Sequence, residues 1–353
     1  MALAPPLPPQ PAGSEPSYAS APPPFPEPDL VAACSELARA DMGTAIDASE
    51  YHDSDAVLDA KISQLAEMIR RSASCCAYTG AGLSTAAGIG DYASKAQGSR
   101  AVRWDPTAND GPHMEWLKEM KPTRGHRVLA GLERAGHLKQ WINQNHDGLD
   151  MKATYPLAKL NQIHGSWFDA RNPVVAMDGA MRVDLDERLE EWAERADLVL
   201  ALGTTLSGLR ADMLAERVAA RAAEASCARV TGGGDEDGEA SGSSGSGVTL
   251  GGLVIVALTK TPLDGDASLR IYARLDDVLG RLAARLRLPL PTDAEVAKAS
   301  KRSALWHEYA LWYRDVHDAQ GCPRESEYQI MRRAQPSNPS LAGLRRRSKT
   351  RAK

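Results

Sequence analysis

The 353-residue chain carries 42 Lys and Arg against 46 Asp and Glu, and its net charge of -4 gives no overall basic character of the kind that marks a nucleic-acid-binding domain. Its five cysteines form no C-x-x-C pair, so the sequence supports neither a zinc ribbon nor a disulfide framework. No apolar run approaches the ~20 residues of a membrane span. The expectation is an intracellular protein, nuclear or cytoplasmic, that makes no contact with a membrane.

Residues 1–29 hold eleven of the 22 prolines and almost no large apolar side chains, a composition that cannot offset the entropy of ordering. Residues 1–52 are accordingly expected as a largely disordered, proline-rich tail. From Asp53 the pattern changes: Val57, Leu58, Ile62, Leu65 and Ile69 recur at helical spacing. A β-prone run at residues 75–79 follows and opens into Gly80-Ala81-Gly82-Leu83-Ser84-Thr85-Ala86-Ala87-Gly88-Ile89-Gly90-Asp91-Tyr92. A further helix is expected at residues 124–135 and a strand at 138–142, leading into Asn143-Gln144-Asn145-His146-Asp147-Gly148-Leu149.

Ile163-His164-Gly165-Ser166 comes next, followed by a short extended piece at 173–177. The continuous apolar run at 198–202 suits a strand covered on both faces, and it ends in Gly203-Thr204-Thr205. A helix at 210–225, a Gly/Ser-rich flexible insertion at 231–247, a buried strand at 253–258 and a helix at 276–288 complete the domain. Strands alternating with helices predict an α/β fold, a doubly wound parallel sheet, over residues 53–290. Trp306, Tyr309, Trp312 and Tyr313 form a stripe on a C-terminal helical extension at 291–335, read as core packing. The basic end of the segment 336–353, from Arg345 to Lys353, is a solvated tail first, and a nuclear-import signal or the one conceivable nucleic-acid contact second.

The glycines at 80 and 82 remove the Cβ atoms that would keep a backbone from a pyrophosphate, although the stretch taken alone reads equally as a tight turn packing a helix on a sheet. Likewise one histidine among eight is more often structural than catalytic. The order of the motifs changes that balance. GAGLSTAAGIGDY, NQNHDGL, IHGS and LVLALGTTL, in that order and with KTPLD following, resemble the sirtuin family of NAD-dependent protein deacylases over roughly residues 58–288.

The resemblance implies a Rossmann-like domain with NAD as cofactor and an acylated-lysine protein or peptide as partner. It implies His164 as general base, with Asn145 and Asp147 also catalytic and Gln144 positioning nicotinamide and ribose. Gly80, Ala81, Gly82, Ser84, Gly88, Ile89, Asp91 and Tyr92 would contact the cofactor from the first glycine loop, together with Gly203, Thr204 and Thr205. A base near the ordinary imidazole pKa would give a rate that rises through pH ~6–7.

Three departures qualify the resemblance. Only residues 165–172 separate His164 from Pro173, so the cysteine-bearing module of the family is absent, the small domain is reduced, and no structural zinc or other metal site is expected. Segment 93–120 is a candidate replacement for the missing cleft wall. Ala93 stands where the family has an arginine, and Ala257 where it has an asparagine. Two other readings follow from these losses: an NAD hydrolase or ADP-ribosyltransferase, or a non-catalytic NAD- or ADP-ribose-binding scaffold.

Overall fold

A computed structural model of the chain describes residues 25–95, 119–166, 169, 172, 174–175, 181–231 and 251–304. Six parallel strands form its centre: β3 (Cys75–Thr79), β4 (Leu138–Asn143), β5 (Leu160–Gln162), β6 (Leu198–Leu202), β7 (Gly252–Val256) and β8 (Leu269–Ile271). Their order is β5-β4-β3-β6-β7-β8. Counted from the first strand of this sheet the order is 3-2-1-4-5-6, the doubly wound arrangement of dinucleotide-binding domains. The chain steps outward in one direction from β3 and in the other from β6, so the loops after these two neighbouring strands part at the sheet's switch point.

The apolar strands are continuous because both faces are covered. Cys75, Ala77, Leu198, Leu200, Leu202, Val254 and Val256 turn to one layer of helices: α1 (Asp55–Arg71), α2 (Arg124–Arg134) and, later in the chain, α6 (Leu275–Leu286). Cys76, Tyr78, Val199, Ala201, Leu253 and Ile255 turn to the other layer, formed by α4 (Val183–Arg195) and α5 (Met213–Thr231). The short α3 (Leu149–Lys152) follows β4, and α7 (Asp293–Ala304) follows α6. Each fully buried Leu, Ile or Val contributes about 1.5–3 kcal/mol, so the two-residue alternation along these strands is what fixes their register.

Helix α1 buries Leu58, Ile62, Leu65 and Ile69, the stripe expected from their spacing. Helix α2 begins at a reciprocal cap: Thr123 Oγ1 accepts from the His126 N–H, and His126 Nδ1 accepts from the Thr123 N–H. Strand β7 stops at Val256, two residues short of the expected end; Ala257 N–H still donates to Ile271 O at 3.3 Å, Leu258 O accepts from Tyr51 N–H, and both residues line the functional cavity.

The ordered region begins earlier than the tail composition suggested. Residues from 29 onward form β1 (Asp29–Ala32), a single 3-10 turn at Ala40–Met42 and β2 (Glu50–His52), with β1 and β2 antiparallel. This segment has little core of its own and takes its order from the main domain. Tyr51 N–H donates to Leu258 O at 2.9 Å, Asp53 N–H to Tyr272 O at 2.7 Å, and Lys95 Nζ to Leu37 O at 2.6 Å. Ala38 and Ala48 pack with Ala93 in a small cluster beside Cys34. Most of segment 93–120, the insertion from residue 232, the stripe at Trp306 to Tyr313 and the basic C-terminal segment lie outside the described residues.

Candidate functional site

At the carboxyl ends of the strands the loops enclose a cavity of about 490 Å³. Its walls come from residues 81–86 and 89–94 after β3, 144–147 after β4, 203–205 after β6, 257–259 after β7 and 273–276 after β8. This is the position at which open α/β sheets bind ligands, and the volume is that of a small-molecule site.

The floor is backbone. Gly82 N–H donates to Gly203 O at 2.9 Å, and Gly80 N–H donates to Leu202 O at 3.2 Å. A Cβ built on Gly82 would lie 2.7 Å from Gly203 Cα, and one built on Gly80 would lie 2.8 Å from Gly203 O. Gly203 itself has φ +61°, a left-handed conformation that suits glycine. The glycines therefore allow the β3 and β6 loops to approach each other, and the ligand surface is what that approach creates. This differs from the simple expectation that the missing Cβ atoms face the ligand.

Above the floor the β4 loop is tied to the first glycine loop. Asn145 Nδ2 donates to Gly80 O at 3.0 Å and to Ser84 Oγ at 3.1 Å, and Ser84 Oγ donates to Asp147 Oδ2 at 2.6 Å. Leu149 N–H donates to Asp147 Oδ1 at 2.9 Å. Burial pushes the Asp147 carboxyl up, against the pull of these donors and of Lys152. Gln144 Nε2 donates to Tyr78 Oη, which donates to Asp212 Oδ1 at 2.7 Å. Asp212 Oδ2 takes the N–H groups of Gly208 and Leu209, both at 2.9 Å, so the chain from Gln144 ends in a fixed turn.

A second buried network lies beneath. Asp150 accepts from Asn143 Nδ2 at 2.8 Å and from Gln162 Nε2 at 3.1 Å, and burial raises its carboxyl to about 6. Asn143 Oδ1 in turn accepts from Asn145 N–H at 3.1 Å and from Thr79 Oγ1 at 2.8 Å. One carboxylate thus couples the end of β4 to the end of β5, two residues before His164.

His164 lines the cavity beside His146, with ring centroids 6.5 Å apart. Burial, helped by the neighbouring His146, pushes its pKa down to about 4, partly opposed by a backbone hydrogen bond at Gln144. The ring is therefore neutral at physiological pH, and the expected titration near pH 6–7 is displaced to lower pH. His146 is also lowered by burial, and its Nδ1 lies 3.2 Å from Gly165 O.

The Sir2 family profile matches residues 99–190 of the chain. NAD-dependent protein deacetylase SRT1 of Arabidopsis thaliana is 28% identical over 282 residues, which cover 69% of this chain and 53% of that protein. These similarities support a reading of the chain as a member of the sirtuin family. NAD-dependent protein deacetylase Sirt6 of Drosophila melanogaster is 34% identical over 120 residues, 34% of this chain and 37% of that one. Human NAD-dependent protein deacetylase sirtuin-7 is 25% identical over 309 residues, 74% of this chain and 69% of that one. The chain spans about half the length of the plant relatives it matches, 53% and 58%.

The described residues after His164 are tied to one another and to Gln162 by hydrogen bonds. Ser166 N–H donates to Asn172 O at 2.9 Å, Asn172 N–H to Asp169 O at 2.9 Å, and Asn172 Nδ2 to Gln162 O at 2.9 Å. Val175 N–H donates to His164 O at 3.1 Å, which brings Val174 and Val175 into the cavity wall. Among the described residues no three His, Cys, Asp or Glu side chains are grouped to hold a metal ion, and no helix is long and apolar enough to cross a membrane.

Of the residues singled out from sequence, Ala81, Gly82, Ser84, Ile89, Asp91, Tyr92, Gln144, Asn145, Asp147, His164, Gly203, Thr204 and Thr205 line this one cavity. Gly80 is buried beneath it, and Gly88 is exposed outside the lining at φ +90°. Asp91 turns its carboxylate onto the N–H groups of Ala93 and Ser94, at 3.0 and 2.7 Å, and so shapes the loop. Sequence reasoning missed Arg39 and Glu50, which reach the cavity from the segment read as tail, and Val174, Val175 and Thr259. Only the closeness of Pro173 to His164 in sequence pointed toward the two valines.

A dinucleotide fits the residues present. The cavity sits at the switch point of a 3-2-1-4-5-6 sheet, its floor is paired glycine backbone, and its β4 wall presents amide and carboxylate groups already oriented by partners.

Proposed function

We infer that this chain is a sirtuin-type NAD-dependent protein-lysine deacylase that transfers an acyl group to ADP-ribose with release of nicotinamide. The observation that carries the reading is the convergence of Gln144, Asn145, Asp147 and His164 with the two glycine loops on a single cavity. The similar Arabidopsis, fly and human proteins are named NAD-dependent protein deacetylases, which supports the reading.

Bound NAD would supply the ribose carbon that accepts the acyl oxygen and the nicotinamide that departs. The chain's own contribution is position and proton transfer. Gly82, Ser84, Gly203, Thr204 and Thr205 would hold the phosphate and ribose portions, and Gln144, Asn145 and Asp147 the nicotinamide end. Neutral His164, at the cavity wall beside Val174 and Val175, is the proton acceptor. A desolvated imidazole is uncharged at working pH and needs no prior deprotonation for that role. Fixing both reactants in one cavity provides the larger share of the acceleration.

This reading includes no structural zinc, and metal analysis returning one zinc per chain would contradict it. The deciding experiment is nicotinamide release from NAD with and without a panel of acylated peptides. Release that depends on the acyl peptide is expected. Release independent of it would establish hydrolase or transferase chemistry, a reading favoured by the short connection from His164 to Pro173 in the sequence. Binding without release would leave only a scaffold.

A further inference from the structure

For a cavity read as holding a pyrophosphate, the walls are poor in fixed positive charge. Among the described lining residues only Arg39 and Arg274 are arginines or lysines. Arg274 is exposed at the start of α6, whereas Arg39 is buried, with 5% of its surface accessible. The lining acids Asp91, Asp147 and Asp276 are turned onto protein donors: Ser94 N–H, Ser84 Oγ and Gly125 N–H respectively. Glu50, buried on β2, adds another carboxylate to the wall.

Arg39 is held in place from two sides. Its guanidinium lies 5.2 Å from the centroid of the Tyr92 ring. Its Nε and Nη2 donate to the two carboxylate oxygens of Asp41, at 2.8 and 2.7 Å. The Asp41 side chain is 59% exposed and is not part of the cavity lining, so the pair fixes the plane of the guanidinium from the solvent side. The segment that carries Arg39 docks by packing Ala38 and Ala48 onto Ala93, and Lys95 holds the Leu37 carbonyl two residues before Arg39. A long side chain at position 93 would occupy the space this segment fills.

We propose that Arg39 is an anion-binding residue of the cavity, delivered by the N-terminal segment, and that it pairs with the phosphate portion of the bound dinucleotide. The proposal rests on the reading of the cavity as an NAD site. A planar guanidinium directs its donors in a fixed fork and pairs strongly with phosphate oxygens. Stacking on Tyr92 and the bond to Asp41 pre-organise it, so little side-chain freedom remains to be lost when the ligand arrives.

Calorimetric titration of the full chain with ADP-ribose tests this without turnover. Arg39→Gln is expected to weaken ADP-ribose binding about 10- to 100-fold, the range for a lost charge-assisted hydrogen bond. It should also flatten the dependence of affinity on added salt, because one ion-pair contact is gone. Arg39→Met, which keeps the apolar stem, is the second variant and should show the same loss if the glutamine variant does not fold. A folded variant that binds ADP-ribose as tightly as the wild type, with the same salt dependence, would reduce Arg39 to a structural role. Failure of the wild type itself to bind ADP-ribose or NAD would instead overturn the reading of the cavity.

Discussion

Ser84 and Asp147, 63 residues apart in sequence, are joined by a 2.6 Å hydrogen bond from the hydroxyl to a carboxylate that is only 2% exposed. The bond locks the first glycine loop to the loop after β4, and Asn145 reinforces it from the same side. Ser84→Ala removes a donor from a buried acid. The expected cost is about 1–3 kcal/mol at neutral pH. The Asp147 carboxyl already lies above its ordinary value through burial. The deficit should therefore shrink as pH falls and the carboxyl takes up a proton. Urea midpoints of wild type and variant at pH 7 and pH 5 measure it, and equal midpoints at pH 7 would show that the bond contributes nothing.

The two glycines of the first loop should respond differently to the same change. At Gly82 a Cβ meets the Gly203 backbone at 2.7 and 2.9 Å, and neither loop has a flexible side chain that could move aside. At Gly88 a Cβ meets nothing within 4 Å, and the only difficulty is φ +90°. Gly88→Ala should then lower stability by about 1 kcal/mol, the usual cost of a left-handed alanine, with ADP-ribose affinity intact. Gly82→Ala should part the loops, lowering both the melting temperature and the affinity, the latter by ~10-fold or more. If Gly82→Ala bound ADP-ribose normally, the contact between the loops would not be what shapes the site.

The sheet was legible because its strands obey one physical rule. Leu198 to Leu202 and the residues from Leu253 to Val256 are apolar at every position since both faces are covered. The loops after them were legible because Gly80, Gly82 and Gly203 occur where strands end. The networks that orient the site were not. Asp150, Asn143 and Gln162 meet only when β4 and β5 pair, and Tyr78 meets Asp212 across 134 residues. No local pattern marks such partners. Arg39 was hidden differently: the apolar residues its segment packs against the domain are small, Ala38 and Ala48, and it is ordered by contacts to Leu258, Tyr272 and Ala93 that composition does not reveal.

Those contacts make the segment at 29–52 part of the folded unit. Deleting residues 1–52 removes β1 and β2 and the 2.9 Å bond from Tyr51 to Leu258, and it uncovers Ala93 and the Tyr92 ring. The truncated chain should melt several degrees lower, since a loss of 1 kcal/mol moves the midpoint by about 2–4 °C in a domain of this size. A differential scanning calorimetry trace unchanged by the deletion would place the segment outside the cooperative unit.

The position of His164 determines how activity varies with pH. Burial and the nearby His146 push its pKa down to about 4, so the ring is neutral from pH 5 upward. Acyl-dependent nicotinamide release should then be flat between pH ~5.5 and 8, and fall only as the ring protonates at lower pH. The same shift acts on stability. An imidazole with a folded pKa below its unfolded value of 6.5 gives stability that is present above pH 6.5 and is lost as pH falls through about 4. His164→Ala should bind ADP-ribose nearly as well as the wild type while acyl-dependent turnover falls ~10²–10⁴-fold. It should also lose that part of the acid sensitivity, which a series of urea midpoints from pH 7 to pH 4 would reveal. His146→Ala is the control: its ring lies 6.5 Å from His164 and contributes less to the shift than burial does, so the flat profile should survive. If His146→Ala rather than His164→Ala abolished turnover, the base would be the other histidine of the pair. A wild-type rate rising tenfold between pH 6 and 7 would show that the base is not desolvated in the working enzyme.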